Sequence, residues 1–171
     1  MPEELFEVEV NLPPGAQSLR NRHSKAATFL NKWYKGNAAD QKHYWLTPPL
    51  LMSELQAEFN FDFDPCPYPC PKDFNGLEVE WGKSNYVNPP FGSVIIDGKK
   101  KGPTAWVKKS IKEFHKGKRV VLVYPIDKWI LMLLSEGAKV RNLGDVRWVA
   151  TEDGTPGQGT GRHISMFILE P

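Results

Sequence analysis

The chain has 171 residues, 40% of them apolar or aromatic, and a net charge of +2, which fits one compact domain and excludes both a large multidomain enzyme and a persistently disordered chain. No run of about 18 apolar residues occurs, so a bilayer span is not expected. The opening MPEELFEVEV carries four Glu and no basic region ahead of an apolar one, and Cys66 and Cys70 are the two cysteines, so the expected setting is a reducing cytoplasm, not a secreted, disulfide-stapled scaffold.

The small net charge hides segregation. Residues 18–43 hold six Lys or Arg against Asp40, residues 54–80 hold seven carboxylates against Lys72, and residues 98–119 hold nine Lys or Arg against Glu113. Two basic stretches interleaved with Trp33, Tyr34, Trp106 and His115 suit a phosphate backbone and a stacking surface. Residues 1–42 read as a basic N-terminal extension or helical cap, with Ser24 capping a helix over about 25–35 that stops at Gly36.

In chain order, Thr47 and Pro48 read as the N-cap and first turn of a helix over about 48–59, whose apolar face is Leu51, Leu55 and Phe59. FDFD at 61–64 predicts a short strand, and residues 85–88 another that ends at Pro89. Pro103 opens a helix with Trp106, Val107, Ile111 and Phe114 as its stripe. RVVLVY at 119–124 is a β-branched run of the kind buried on both faces of a parallel sheet. Asp127 is expected to cap a helix over about 128–136, followed by strands at about 138–143, 146–149 and 163–169. The alternation predicts a three-layer α/β domain with a mostly parallel central sheet.

Asn88-Pro89-Pro90-Phe91 falls where a strand ends and a loop begins, the usual place for ligand sites in open α/β sheets. Pro89 pushes Asn88 into an extended conformation, and two consecutive prolines offer no competing N–H donors. The Asn88 side-chain oxygen and the Pro89 carbonyl can then accept both hydrogens of one exocyclic amine. An aromatic amine is a poor nucleophile because its lone pair is delocalised into the ring; paired acceptors oppose that delocalisation and favour the transition-state geometry. Phe91 supplies a flat face for a base taken out of the duplex.

With Trp45-Leu46-Thr47-Pro48 and Asp64-Pro65-Cys66 upstream in fixed order, residues 43–171 resemble the phage and prophage DNA N6-adenine methyltransferases of the Dam type. The resemblance implies a reduced, Rossmann-like methyltransferase domain that uses S-adenosylmethionine to methylate adenine N6 in DNA, most simply double-stranded. Asn88, Pro89, Pro90 and Phe91 match the catalytic element, Thr47 and Pro48 the segment covering the cofactor, and Asp64, Pro65 and Cys66 the cofactor element. A carboxylate at a strand end suits the methionine ammonium, N–H groups at a helix start suit its carboxylate, and an aromatic, Trp45 or Phe91, suits the sulfonium. Arg20, Arg22, Lys99, Lys100, Lys101 and Lys108 are the expected phosphate contacts. Residues 64–72 contain no glycine, so the cofactor is expected to be held differently from the glycine-rich turn of broader methyltransferases, and Asp73, Glu78 and Glu80 are equal candidates for its ribose.

Three alternatives stay open: a cytosine N4 acceptor, a protein glutamine amide, which the basic stretches disfavour, and a non-catalytic nucleic-acid binder with a degenerate cofactor pocket. Asp127 and Trp129 are read as a helix cap and a core aromatic, with a place facing the base as the second reading. Cys66 and Cys70 have no histidine at a compatible spacing, so no metal site is expected.

Overall fold

The computed structural model describes residues 45–96, 99–150, 154–157 and 163–171. The basic extension 1–42, with the helix over about 25–35, Arg20 and Arg22, lies outside the described residues.

The chain begins with β1 (Trp45–Leu46) and α1 (Pro49–Phe59), then reaches β2 (Ser84–Val87). A hairpin, β3 (Val94–Ile96) and β4 (Lys99–Lys101), leads into α2 (Pro103–Phe114) and β5 (Arg119–Pro125). α3 (Ile130–Ser135), β6 (Lys139–Gly144), β7 (Val149–Ala150) and β8 (Ile164–Leu169) complete it. The strands expected at 138–143 and 163–169 thus form with shifted ends, whereas the one expected at 146–149 gives way to the two-residue β7, which shares only Val149 with it.

The central sheet has the order β2-β5-β8-β6. β2 and β5 are parallel, with Val87 opposite Leu122, whereas β8 runs antiparallel to both β5 and β6. This corrects the expected Rossmann-like domain with a mostly parallel sheet: among the described residues one pairing of this sheet is parallel and two are antiparallel. The apolar runs RVVLVY and ISMFIL do signal burial on both faces, but an antiparallel strand meets that requirement as well as a parallel one. β8, entering between β5 and β6 against both, decides the outcome.

Alternation along β5 divides its side chains between two cores. Val120, Leu122 and Tyr124 pack with Trp106 and Val107 of α2 and with Trp129 and Leu133 beside or on α3. Val121 and Val123 pack with Leu55 and Phe59 of α1, with Tyr86 and with Trp148. Each such side chain, fully buried, contributes about 1.5–3 kcal/mol, so the parallel pair β2–β5 is the rigid base on which the loops after Val87 and Pro125 stand.

Three local expectations change. Thr47 does not cap α1: Pro48 is the N-cap residue, Pro49 opens the helix, and the Thr47 hydroxyl bonds Tyr86 instead. The amides at the second and third helical positions are those that a cap residue's side chain accepts, and Thr47 stands one residue before the cap position that Pro48 fills. FDFD makes a single parallel bridge, Phe63 to Asn85, in place of a strand; the Asp62 carboxylate accepts the Lys83 and Ser84 amides and ties the segment to β2. Asp127 lies outside α3, which starts later than expected and has no side-chain cap.

Among the described residues no helix is long and apolar enough to cross a membrane, and no group of three or more His, Cys, Asp or Glu stands together to hold a metal ion.

Candidate active site

Because β2 and β5 are parallel neighbours, their C-terminal ends bring Asn88–Phe91 beside Pro125–Asp127. Tyr86 precedes Asn88 by two residues and shares its face of the strand. Its hydroxyl and the Thr47 Oγ1 lie 2.5 Å apart, and Asn88 Nδ2 donates to the same Thr47 oxygen at 3.5 Å. Burial pushes the Tyr86 phenol up, so it stays protonated, and Thr47 is held between Tyr86 and the amide. With Nδ2 facing Thr47, no donor among the described residues reaches Asn88 Oδ1 or the Pro89 carbonyl.

The next carbonyl is taken. Tyr124, whose phenol burial likewise pushes up, donates to Pro90 O at 2.8 Å. Phe91 is 36% exposed, and its ring meets Tyr124 and Trp148 edge-on, each at a centroid distance of 5.6 Å. Two edge contacts fix the ring and leave surface for stacking. Beside it lies a shallow, open depression lined by Phe91, Pro103, Tyr124, Pro125, Asp127 and Trp129, whose enclosed space of about 10 Å³ is about that of one water. Asp127 is exposed there and accepts the Lys128 amide at 2.6 Å.

Asp64 follows the Phe63 bridge to β2. Its Oδ1 accepts the Cys66 amide at 2.7 Å. Loss of surrounding water raises the carboxyl to about 7, against the lowering effect of that bond. The side chain nevertheless keeps solvent contact. No Lys, Arg or His forms an ion pair with it among the described residues, so the site has an uncompensated carboxyl. Burial, the Asp64 carboxylate and Cys70 all raise the Cys66 thiol, which stays neutral. Pro65 is buried, and Gly76 passes so close that a Cβ there would lie 1.9 Å from the Pro65 carbonyl oxygen.

Trp45 and Pro48 are half-buried, and the pairing of Trp45 with Ala150 ties this segment to the strand after Trp148. Gly157 packs against the Trp45 ring, where a Cβ would approach to 2.8 Å.

No family model, curated protein or solved structure matches the chain.

The Thr-Pro, Asp-Pro-Cys and Asn-Pro-Pro-Phe segments therefore converge. Thr47 and Asn88 touch directly, and the Asp64 charge is felt at Tyr86. The basic residues separate into two groups. Lys108 is exposed on α2 and Lys99–Lys101 form β4, whereas Lys109, Lys116 and Lys118 surround the buried Glu113 carboxylate at 2.9, 2.9 and 2.7 Å and Arg119 pairs with Glu170. Of the ribose candidates, Glu80 pairs with Lys118, while Asp73 and Glu78 are exposed. Sequence reasoning missed Tyr86, Tyr124 and Trp148. Two had a signal: Tyr86 stands at the i−2 position from Asn88 in a strand, and Tyr124 directly precedes the proline that ends β5.

Proposed function

We propose that the chain transfers a methyl group from S-adenosylmethionine to the exocyclic N6 amine of adenine in double-stranded DNA. The observation carrying this reading is the meeting of Thr47 and Asn88, 41 residues apart in sequence, beside an exposed Phe91. That contact turns the Asn88 amide so that its oxygen, with the Pro89 carbonyl, is left for the two hydrogens of a planar amine. Acceptors fixed before the reaction need no reorganisation as the nitrogen pyramidalises, which is the source of their catalytic effect. Phe91 offers the stacking face, and Trp129 forms a second aromatic part of the depression.

The residues fit the cofactor. Asp64 is a carboxyl without a cationic partner, suited to the methionine ammonium, and the first turn of α1 has backbone N–H groups for its carboxylate. Trp45 supplies aromatic surface, and the neutral Cys66 thiol adds no charge to repel or trap a ligand. When bound, S-adenosylmethionine supplies an electrophilic methyl group on a sulfonium. Thr47, through its hydroxyl, serves the acceptor amide and not the cofactor.

Incubation with S-adenosylmethionine and duplex DNA, followed by digestion and mass spectrometry of the nucleosides, tests the reading. N6-methyladenine is the expected product. N4-methylcytosine, or no modified nucleoside at all, overturns it.

A further inference from the structure

Between the Phe63 bridge and β2 the chain makes a long excursion that closes where Gly76 meets Pro65. Gly76 is buried there, and a Cβ on it would also lie 3.0 Å from the Pro65 Cβ. It is fixed from the other side as well: the indole N–H of the buried Trp81 donates to the Gly76 carbonyl at 2.7 Å. Trp81 is gripped in turn from α2 and from the residue before β5. Lys109 Nζ donates to the Val79 carbonyl at 2.7 Å and lies 5.7 Å from the centre of the Trp81 ring, while Lys118 Nζ donates to the Trp81 carbonyl at 2.7 Å. Both ammonium groups stand on the buried Glu113 carboxylate, at 2.9 and 2.7 Å, and Lys118 also bonds Glu80 at 3.1 Å. An ammonium has three donors, and those of Lys118 meet three acceptors.

We propose that Trp81 and Lys109 are positioning residues for the cofactor: by holding Gly76 against Pro65 they keep Asp64-Pro65-Cys66 in the geometry that receives the methionine end of S-adenosylmethionine. The assignment rests on the methyltransferase reading for the identity of that ligand. Residues 64–72 contain no glycine, so close backbone approach at this turn has to come from elsewhere, and Gly76 supplies it. A glycine has no side chain with which to hold itself in place. Trp81 holds it through a directed bond, and a cation over the indole face fixes the ring. Lys109 is itself only 10% exposed beside a buried carboxylate, so its ammonium keeps protein partners in place of water. The chain of contacts runs from Glu113 through Lys109, Trp81, Gly76 and Pro65 to Asp64, a strap in which neither Asn88 nor Phe91 takes part.

The test compares the wild type with Trp81→Phe, which loses the indole donor, and with Lys109→Met, which keeps the aliphatic stem and loses the charge. Ile168→Ala, in the core on the opposite face of the sheet, is the control for general loss of stability. Two readouts are taken on folded protein: hydrogen exchange of the amides of residues 66–79 without ligand, and affinity for S-adenosylmethionine by calorimetry together with its KM and kcat in duplex methylation. Each variant is expected to speed exchange in this segment and to raise both the dissociation constant and KM by about fivefold, the worth of one ordinary hydrogen bond, with kcat held. The control is expected to change none of these; should one variant not fold, the other decides. Unchanged exchange, unchanged affinity or a loss of kcat at constant KM overturns the proposal, as does a control that shows the same shifts. A wild type that binds no S-adenosylmethionine, with the segment loosened in both variants, removes the methyltransferase reading and leaves the strap.

Discussion

The Tyr124 hydroxyl donates to the Pro90 carbonyl across 2.8 Å, tying the end of β5 to the turn that follows β2. Because β5 is buried along nearly its whole length, this bond transmits the rigidity of the sheet to the two prolines that position Asn88. Tyr124→Phe keeps the ring that packs on Phe91 and removes only the donor. The net value of such a bond is about 1 kcal/mol, so turnover is expected to fall roughly fivefold to tenfold with cofactor affinity unchanged. Steady-state kinetics alongside calorimetry checks this; unchanged turnover means the Pro90 bond does not hold the reactive geometry.

On the proposed methyltransferase reading, Asp64 would make cofactor binding depend on pH. Its carboxyl, raised to about 7 by loss of water, is partly protonated near neutrality in the free protein. A bound ammonium favours the carboxylate, so affinity should rise as pH increases from 6 towards 8, with protons released on binding. The cofactor's own amino group titrates near the upper end of this range, at about 8; Asp64→Asn, which has no carboxyl, isolates the two effects. Calorimetry in buffers of different ionisation enthalpy is expected to detect proton release in the wild type and to lose it in the variant. Equal proton release in both would remove Asp64 from the cofactor site.

Much of the site was legible because its chemistry is local. Proline stiffness defines Asn88-Pro89-Pro90-Phe91 within four residues, and the segments holding Thr47 and Asp64 carry similarly short signals. Partnerships across the fold were not legible. Thr47 read as a helix cap, since nothing in its neighbourhood shows that Tyr86, 39 residues later, takes its hydroxyl. Asp127 read as a cap for the same reason, yet it lines the depression beside Phe91. The direction of β8 was hidden because two-sided burial leaves the same apolar pattern in parallel and antiparallel strands. Lys99–Lys101 read as a charge run and their pairing with Val94–Ile96 was missed, although the sequence carried its signal in a β-branched run followed directly by Asp97-Gly98.

Glu113 is fully buried, and its neighbours determine its ionisation. Burial alone would raise the carboxyl, but the ammonium groups of Lys118, Lys109 and Lys116 outweigh it and bring it down to about 2. The unfolded value is about 4.3, so this stabilisation is complete above that pH and is lost as pH falls through about 2. Glu113→Gln takes the shared carboxylate from three lysines, of which Lys118 keeps Glu80, and is expected to cost about 3 kcal/mol at pH 7, with the difference from wild type narrowing in acid. Urea unfolding measures it. A cost below about 0.5 kcal/mol, the level of an ordinary surface change, would show that the cluster is not structural.

Gly76 controls the fit of the Asp64–Cys66 segment from eleven residues beyond Pro65. A methyl group there cannot remain 1.9 Å from the Pro65 oxygen, so the backbone must move. Gly76→Ala is expected to destabilise the fold by about 1–3 kcal/mol and to weaken S-adenosylmethionine binding more than Tyr124→Phe does. Thermal unfolding and calorimetry together report both effects; wild-type affinity would separate this segment from the cofactor.

The central claim is that Asn88 Oδ1 and the Pro89 carbonyl together activate an aromatic amine. Single-turnover methylation by Asn88→Ala, measured with its affinity for S-adenosylmethionine, tests it most directly. The account predicts a rate loss of about 10²–10³, the effect of removing one preorganised polar group from a transition state, with affinity near wild type and partial recovery in Asn88→Asp, which restores an acceptor oxygen. A variant that methylates adenine at the wild-type rate would contradict it.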